Sequence, residues 1–142
     1  MGNLTFTMNN NVSVGEVMIK LNHFPIVSEN ELLRETIEEI NKFGLGIACI
    51  INSNEKLIGV LTDGDIRRLI LKVQKPISAI FVDDVYDYAT KDFANVDEKT
   101  SLKEALFKME KLKIWDLPVV DNNKKLKGLL HLHPALKSVL GI

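Results

Sequence analysis

The sequence predicts an α/β fold in which two copies of one β-α-β-β-α unit pack together with approximate two-fold symmetry. The first observation is an internal repeat: residues 24–68 align without a gap with residues 93–137 when Gly59 is placed on Gly128, an offset of 69 positions. The second is a helical spacing of apolar residues in each copy. The third is a pair of short apolar segments joined by polar residues. A repeat of this length indicates a repeated supersecondary unit.

The clearest pattern in each copy is that of an amphipathic helix, which covers residues 31–42 in the first copy. Apolar residues recur there every three or four positions, which places them on one face of a helix. They are Leu33, Ile37 and Ile40, matched in the second copy by Leu102, Leu106 and Met109. The other face is polar, so we expect the helix to lie on the surface of a sheet.

A β-hairpin follows the helix in each copy. Its predicted strands are residues 47–51 and 57–61 in the first copy, and 117–120 and 126–130 in the second. The residues between the strands are Asn, Ser, Asp, Glu and Lys, and the Asn, Ser and Asp among them favour a turn. A second helix is predicted over residues 66–71 and 135–140. One unit is too small to bury its sheet face and both helix faces, so the two copies should pack on each other.

Four segments follow from this pattern. Residues 1–10 are polar and rich in Asn, without periodicity, and are expected to be a flexible lead-in. Residues 11–73 form the first repeat and residues 85–142 the second. Residues 74–84, which include Pro76, are the predicted connection.

Composition and charge narrow the class of function. The 142 residues include 18 Lys and Arg and 19 Asp and Glu, a net charge of −1, so neither nucleic acid nor an anionic membrane is expected as a partner. No apolar stretch approaches the roughly 20 residues of a transmembrane helix. The single cysteine, Cys49, lies in an apolar strand and is expected to be buried rather than reactive. These features predict a cytoplasmic protein.

A polar segment, Thr-Asp-Gly-Asp at residues 62–65, separates an apolar strand from a basic helix. It supports two interpretations. In one, Thr62 is the helix N-cap and exchanges hydrogen bonds with Asp65 in a capping box. In the other, the helix N-terminus and the Thr62 hydroxyl hold a phosphate, while the Asp65 carboxylate accepts hydrogen bonds from two sugar hydroxyls. Asp63 belongs to the same candidate site, and Arg68 adds a positive charge for phosphate.

The tandem repeat, with Gly-x-x-Thr-x-x-Asp ending the first hairpin, resembles a CBS domain pair, also called a Bateman module. Three stretches are similar to the carboxy-terminal regulatory region of KpsF/GutQ-type arabinose-5-phosphate isomerases: FGLG at residues 43–46, GVLTDGDIRR at residues 59–68 and GLLHLH at residues 128–133. The resemblance covers nearly the whole chain from about Val14 onward. Nothing in the sequence matches the catalytic sugar-isomerase domain of that family, so the resemblance implies a regulatory part without catalytic residues.

The second copy has His131-Leu132-His133-Pro134 in place of the Thr-Asp-Gly-Asp segment. Related isomerases usually carry Asp where this chain has Pro134, so no sugar contact transfers to that position and two nucleotides per chain are not expected. His131 and His133, two apart at a strand end, are candidates for a phosphate or sugar contact if they face the same way. No third ligand for a metal is near in sequence, and ordinary structural histidines are the alternative.

The resemblance implies two CBS repeats with a ligand cleft between them, and a homodimer. It implies a nucleotide or nucleotide sugar as regulatory ligand, with CMP-Kdo and an adenine nucleotide as candidates, no required cofactor, and a sugar-phosphate isomerase domain as the regulated partner. Two alternatives stay open: a CBS pair associated with a sugar nucleotidyltransferase, and a dimerisation module that binds no ligand. An enzyme in its own right would need a nucleophile with a base or a metal cluster, and none assembles from the sequence.

Overall fold

The computed structural model describes residues 12–141, so the predicted lead-in lies outside the described residues. Two short elements come first: α1 (Val14–Val17) and β1 (Ile19–Lys20). The first repeat follows, with β2 (Ile26–Ser28), α2 (Leu33–Phe43), β3 (Ile47–Ile51), β4 (Leu57–Thr62) and α3 (Asp63–Lys72). The predicted connection contains α4 (Ile77–Phe81), and a 3₁₀ helix (Val85–Tyr88) lies at the start of the second repeat. The second repeat contains α5 (Leu102–Leu112), β5 (Asp116–Val120), β6 (Leu126–His131) and α6 (Leu132–Leu140).

The strands form two sheets of three. One sheet has the order β2-β3-β4, with β2 parallel to β3 and β3 antiparallel to β4. The other has the order β1-β6-β5, with both pairs antiparallel. The second repeat departs here from the predicted β-α-β-β-α order, because its opening strand is reduced to a single parallel bridge between Val96 and Val119. Its sheet takes the third strand from β1 instead.

Residues 12–20 pack with the second repeat, and their counterpart, residues 83–91 at the start of the second repeat, packs with the first. The Val14 N–H donates to the Thr100 carbonyl, while the Val85 N–H donates to the Glu31 carbonyl, each over 2.8 Å. Glu31 and Thr100 are equivalent in the sequence repeat, but Val14 and Val85 are separated by two more positions than that offset. The structural repeat therefore extends toward the N-terminus beyond the sequence alignment. The loop that joins this extension to the aligned residues differs in length between the two copies.

The same exchange completes both sheets. Ile19 of β1 pairs with Leu129 of β6, and Thr90 exchanges two backbone hydrogen bonds with Val60 of β4, of 2.8 and 3.0 Å. Val60 and Leu129 are equivalent positions of the two repeats. Each repeat thus covers an edge strand of the other, which removes backbone groups that would otherwise stay unpaired.

The apolar core has three layers. Between the sheets lie buried residues from both repeats, among them Phe24, Cys49, Val60 and Leu129. The other two layers lie between each sheet and its helices. Cys49 is fully buried, as predicted, and burial raises the pKa of its thiol far above the ordinary value, which keeps it protonated and unreactive.

Gly128→Ala tests the exchanged strand. A Cβ at Gly128 would lie 2.8 Å from the Ile19 carbonyl oxygen and 2.5 Å from the Met18 sulfur, so β1 would have to move away from β6. We expect the free energy of unfolding to fall by about 1–3 kcal/mol, the usual cost of overpacking.

The matched control is Gly59→Ala at the equivalent position. Its Cβ would lie 3.2 Å from the Ala89 Cβ and 3.4 Å from the Thr90 carbonyl oxygen, both longer than the contacts at Gly128. A backbone shift of a few tenths of an ångström relieves them, so this variant should cost less. Urea unfolding of both variants measures the difference. Equal losses would argue against a close approach of β1 to β6.

Candidate functional site

A cavity of about 840 Å³ opens where β4 and β6 end, at the contact between the two repeats. Its lining includes four pairs of positions that are equivalent in the sequence repeat. They are Gly44 and Lys113, Gly46 and Trp115, Ile47 and Asp116, and Thr62 and His131. The two halves of the cavity therefore have the same backbone origin but different side chains.

The Thr62–Asp65 capping box is formed. The Thr62 Oγ1 accepts from the Asp65 N–H over 3.1 Å, and the Asp65 Oδ2 accepts from the Thr62 N–H over 2.9 Å. These bonds explain why α3 begins at Asp63, three residues before the predicted start. The capping interpretation of the sequence is confirmed as local geometry, and both residues also line the cavity.

The second oxygen of Asp65 has partners as well. Its Oδ1 accepts from the Arg68 guanidinium over 2.9 Å and from the Thr90 hydroxyl over 3.0 Å. Burial by itself would raise the pKa of Asp65, but the hydrogen bonds from Thr62, Arg68 and Thr90 outweigh it, so that pKa is lowered. The carboxylate therefore stabilises the fold above the ordinary aspartate pKa, and this contribution is lost as pH falls through the lowered value.

Asp63 lies at the start of α3 and also lines the cavity. Its N–H donates to the Gly46 carbonyl over 3.0 Å, and a Cβ on Gly46 would come within 2.9 Å of the Asp63 Oδ2. The missing side chain of Gly46 thus leaves room for this carboxylate beside the loop before β3. Arg67 and Arg68 both line the cavity, although the sequence analysis selected Arg68 alone.

The two candidate histidines do not share one strand face. β6 ends at His131 and α6 begins at Leu132, so the alternation of a strand does not continue to His133. The His131 Nδ1 lies 2.7 Å from the Asp116 Oδ1 at the cavity. His133 is exposed and is not one of the residues that line the cavity. Pro134 occupies the α6 position equivalent to Asp65.

Sequence reasoning missed Thr90 and Asp116 as cavity residues, and it excluded Trp115 because a lone tryptophan is more often a core or interface residue. Asp116 could be recognised from the predicted hairpin. The strand register pairs Asp116 with His131, just as it pairs Ile47 with Thr62 in the first repeat. Trp115 is 70% exposed, and its position was visible as the equivalent of Gly46. No local sequence pattern marks Thr90, because it contacts Asp65 from 25 positions away in the chain.

Asp116→Asn is expected to raise stability near neutral pH. Burial raises the pKa of Asp116 more than the His131 hydrogen bond and charge lower it, and the charge of Asp63 raises it further. The folded protein therefore favours the neutral carboxyl, and ionisation costs stability as pH rises through the raised pKa. An amide removes that cost.

Urea unfolding between about pH 7 and about pH 4, toward the ordinary aspartate value, checks this. The advantage of the variant should shrink as pH falls, because the parent carboxyl becomes neutral too. Asp87→Asn, at an exposed position, controls for the change in net charge. A less stable Asp116→Asn variant at neutral pH would mean that the His131 bond outweighs burial.

Within residues 12–141, no three His, Cys, Asp or Glu side chains are grouped so that they could hold a metal ion. Among the helices of that range, none has the length and apolar character required to cross a bilayer.

Comparisons with known proteins point to one family. A sequence model of the CBS domain matches residues 14–72 and 85–133. An uncharacterized protein from Helicobacter pylori strain J99 is 34% identical over 123 residues, which are 84% of this chain and 35% of that protein. Arabinose 5-phosphate isomerase KdsD from Francisella tularensis strain SCHU S4 is 32% identical over 130 residues, 89% of this chain and 37% of that protein. The chain thus spans little more than a third of these relatives.

Solved structures agree. CBSX2, a CBS-pair protein from Arabidopsis thaliana, in its complex with AMP has a TM-score of 0.80 and 27% identity, over 92% of this chain and 97% of that chain. Protein MJ1225 from Methanocaldococcus jannaschii has a TM-score of 0.81 at 20% identity, over 92% of this chain and 48% of that chain, which supports the fold alone. Two family matches in succession and a shared architecture establish that this chain belongs to the CBS domain family, as a tandem pair of CBS repeats.

Proposed function

We propose that this CBS pair is a cytoplasmic regulatory module that binds a nucleotide or nucleotide sugar and tunes a sugar-phosphate isomerase domain, attached or separate. The observation that carries the proposal is the Thr62–Asp65 segment, which opens at the N-terminus of α3 into a cavity of about 840 Å³ between the repeats. A volume of this size suits a small-molecule ligand. The module requires no cofactor and catalyses no reaction of its own.

The α3 N-terminus offers a limited set of phosphate donors. The Asp63 N–H and the Asp65 N–H already donate to Gly46 and Thr62, so within residues 12–141 the Gly64 N–H is the free donor of the first three. The Thr62 hydroxyl can donate beside it. In the proposed complex these two groups hold a phosphate at the positive end of the helix.

Asp65 holds the sugar in the same complex. Its carboxylate has about four acceptor sites. Three of them are occupied by Thr62, Arg68 and Thr90. A sugar diol donates two hydrogen bonds, so it takes the remaining site and replaces one partner. Arg68 is the partner that can leave, because its side chain is 54% exposed whereas Thr62 and Thr90 are only partly exposed. The released guanidinium then pairs with the phosphate. His131 is a further proposed contact from the second repeat, and His133 is not included.

An adenine nucleotide is the first candidate ligand. The AMP complex of CBSX2 supports it, since that protein is 27% identical over 92% of this chain. A nucleotide sugar such as CMP-Kdo is the second candidate, which the resemblance to the regulatory region of arabinose-5-phosphate isomerases implies; KdsD, at 32% identity, is one such isomerase. Calorimetric titration of the purified chain with AMP and with CMP-Kdo tests the proposal. We expect one ligand per chain, and failure of both compounds to bind would overturn it.

A homodimer is part of the proposal. Helices α5 and α6 border an apolar groove of about 670 Å³, beside which Phe107 and Trp115 are 64% and 70% exposed. Exposed apolar surface of this kind is typical of an association site. The same surface supports the alternative function of a dimerisation module without a ligand.

Sedimentation equilibrium measures the assembly. We expect a dimer at about 10–50 µM, a range in which dimers of micromolar or tighter affinity persist. A monomer throughout that range would count against this part of the proposal. Binding of AMP to the dimer would separate the regulatory module from the ligand-free alternative.

A further inference from the structure

The cavity between the repeats carries more negative than positive side chains. Its lining contains the carboxylates of Asp63, Asp65, Asp92 and Asp116. Its cations are Arg67, Arg68 and Lys113. With His131 neutral, the formal balance is one negative charge in excess, and it is zero where the raised pKa of Asp116 leaves that carboxyl protonated. This balance is unusual for a site that would hold several phosphates.

The cations near the α3 N-terminus can satisfy one phosphate. Arg68 is paired with Asp65 over 2.9 Å. Arg67 forms no salt bridge within residues 12–141, and Lys113 lies in the second repeat, at the end of α5. The Gly64 N–H and the Thr62 hydroxyl add two neutral donors. The first phosphate takes these two donors and the released Arg68 guanidinium. A second or third phosphate would depend on Arg67 and Lys113, in a lining that also holds the Asp63 and Asp92 carboxylates.

The carboxylates beside that set are not neutralised. Neither Asp63 nor Asp92 has a salt-bridge partner in the described part of the chain. The charge of Asp63 also contributes to the raised pKa of Asp116, so its field reaches the second half of the cavity. Two like charges about 4 Å apart repel by about 1 kcal/mol in water and by more at a protein surface.

We infer that Asp63 and Asp92 select against polyphosphates, so that the site takes a nucleotide with one phosphate group in preference to a nucleoside diphosphate or triphosphate. The inference rests on the proposed nucleotide binding and names the charge class of the ligand. The Asp63 backbone is fixed by its hydrogen bond to the Gly46 carbonyl, and the missing side chain of Gly46 leaves room for the Asp63 carboxylate.

The experiment is a calorimetric titration of the whole chain with AMP, ADP and ATP, at low ionic strength and with a chelator that removes divalent cations. We expect affinity to fall in that order, with AMP about tenfold or more tighter than ATP. Asp63→Asn and Asp92→Asn should each reduce the ratio of AMP to ATP affinity about threefold. Salt at about 0.5 M should also reduce the ratio of AMP to ATP affinity, because both carboxylates are exposed and salt screens their charges.

The matched control is Asp87→Asn, which makes the same change of charge at an exposed position that does not line the cavity, and should leave the ratio as in the parent. ATP affinity equal to that of AMP in the parent would overturn this inference and leave the proposed function standing. So would an unchanged ratio in both cavity variants. Failure of all three nucleotides to bind would overturn both this inference and the proposed adenine-nucleotide ligand.

Discussion

Phe24→Ala is expected to lower the free energy of unfolding by about 3–5 kcal/mol, the usual cost of removing a buried phenyl ring. Phe24 is 1% exposed and packs in the layer between the two sheets with buried residues of both repeats, including Cys49 and Leu129. The layer is formed by two rigid sheets, so it cannot collapse around the space left by the ring. A loss of this size is a large part of the total stability of a domain of this length.

The second repeat provides the matched variant, Phe93→Ala. Phe24 and Phe93 are equivalent and identical in the sequence repeat, but Phe93 is only partly buried and lines the cavity. We expect less than half the loss of stability, because part of the ring already faces the cavity. Urea unfolding followed by circular dichroism measures both variants. Equal losses would indicate that the two halves of the layer are packed alike, against the asymmetry described above.

The sequence was sufficient to predict the fold class, since helices and strands of the hairpin units repeat with their own periodicity. It did not predict the exchange of segments 12–20 and 83–91 between the repeats. Those segments form a helix of 4 residues, a strand of 2 residues and a 3₁₀ helix, which are too short for a periodic pattern. The sequence alignment begins only after these segments, because the loops that connect them to Phe24 and Phe93 differ in length.

The candidate site likewise has one part that the sequence predicted and another part that only the fold brings together. Spacing predicted the Thr62–Asp65 pair because a capping box is local, with partners three positions apart. Thr90 and Arg67 completed the site through the fold, and no pattern marks a threonine that contacts a carboxylate 25 positions away. His133 was grouped with His131 because strand alternation was extended by two positions, beyond the point where the chain becomes helical.

Asp65→Asn is expected to lower the affinity for AMP by about 1.5–3 kcal/mol, the range for hydrogen bonds to charged groups, which is roughly 10- to 100-fold. In the proposed complex the carboxylate accepts from a sugar diol. The amide keeps one oxygen but loses the charge, and its NH₂ group cannot accept. Calorimetric titration of parent and variant with AMP measures the change.

Stability should fall in the same variant, because the carboxylate accepts from Thr62 on one oxygen and from Arg68 and Thr90 on the other. Whichever way the side-chain amide of the variant turned, its NH₂ group would face one of these donors. A donor left without its partner costs about 1–3 kcal/mol, more than the few tenths to about 1 kcal/mol of a weakened cap. The difference should narrow in acid, as pH falls through the lowered pKa of Asp65 in the parent.

Ser101→Ala separates the two effects. Ser101 caps α5 by accepting from the Glu104 N–H over 3.2 Å and does not line the cavity. Its loss should cost about 1 kcal/mol of stability and leave AMP affinity unchanged. Titrations are run at a temperature where unfolding curves show all three proteins folded, so weaker binding by Asp65→Asn alone assigns the carboxylate to the ligand. If Asp65→Asn instead matched Ser101→Ala, with stability lost and affinity kept, Asp65 would be a helix cap and the proposed sugar contact would be wrong.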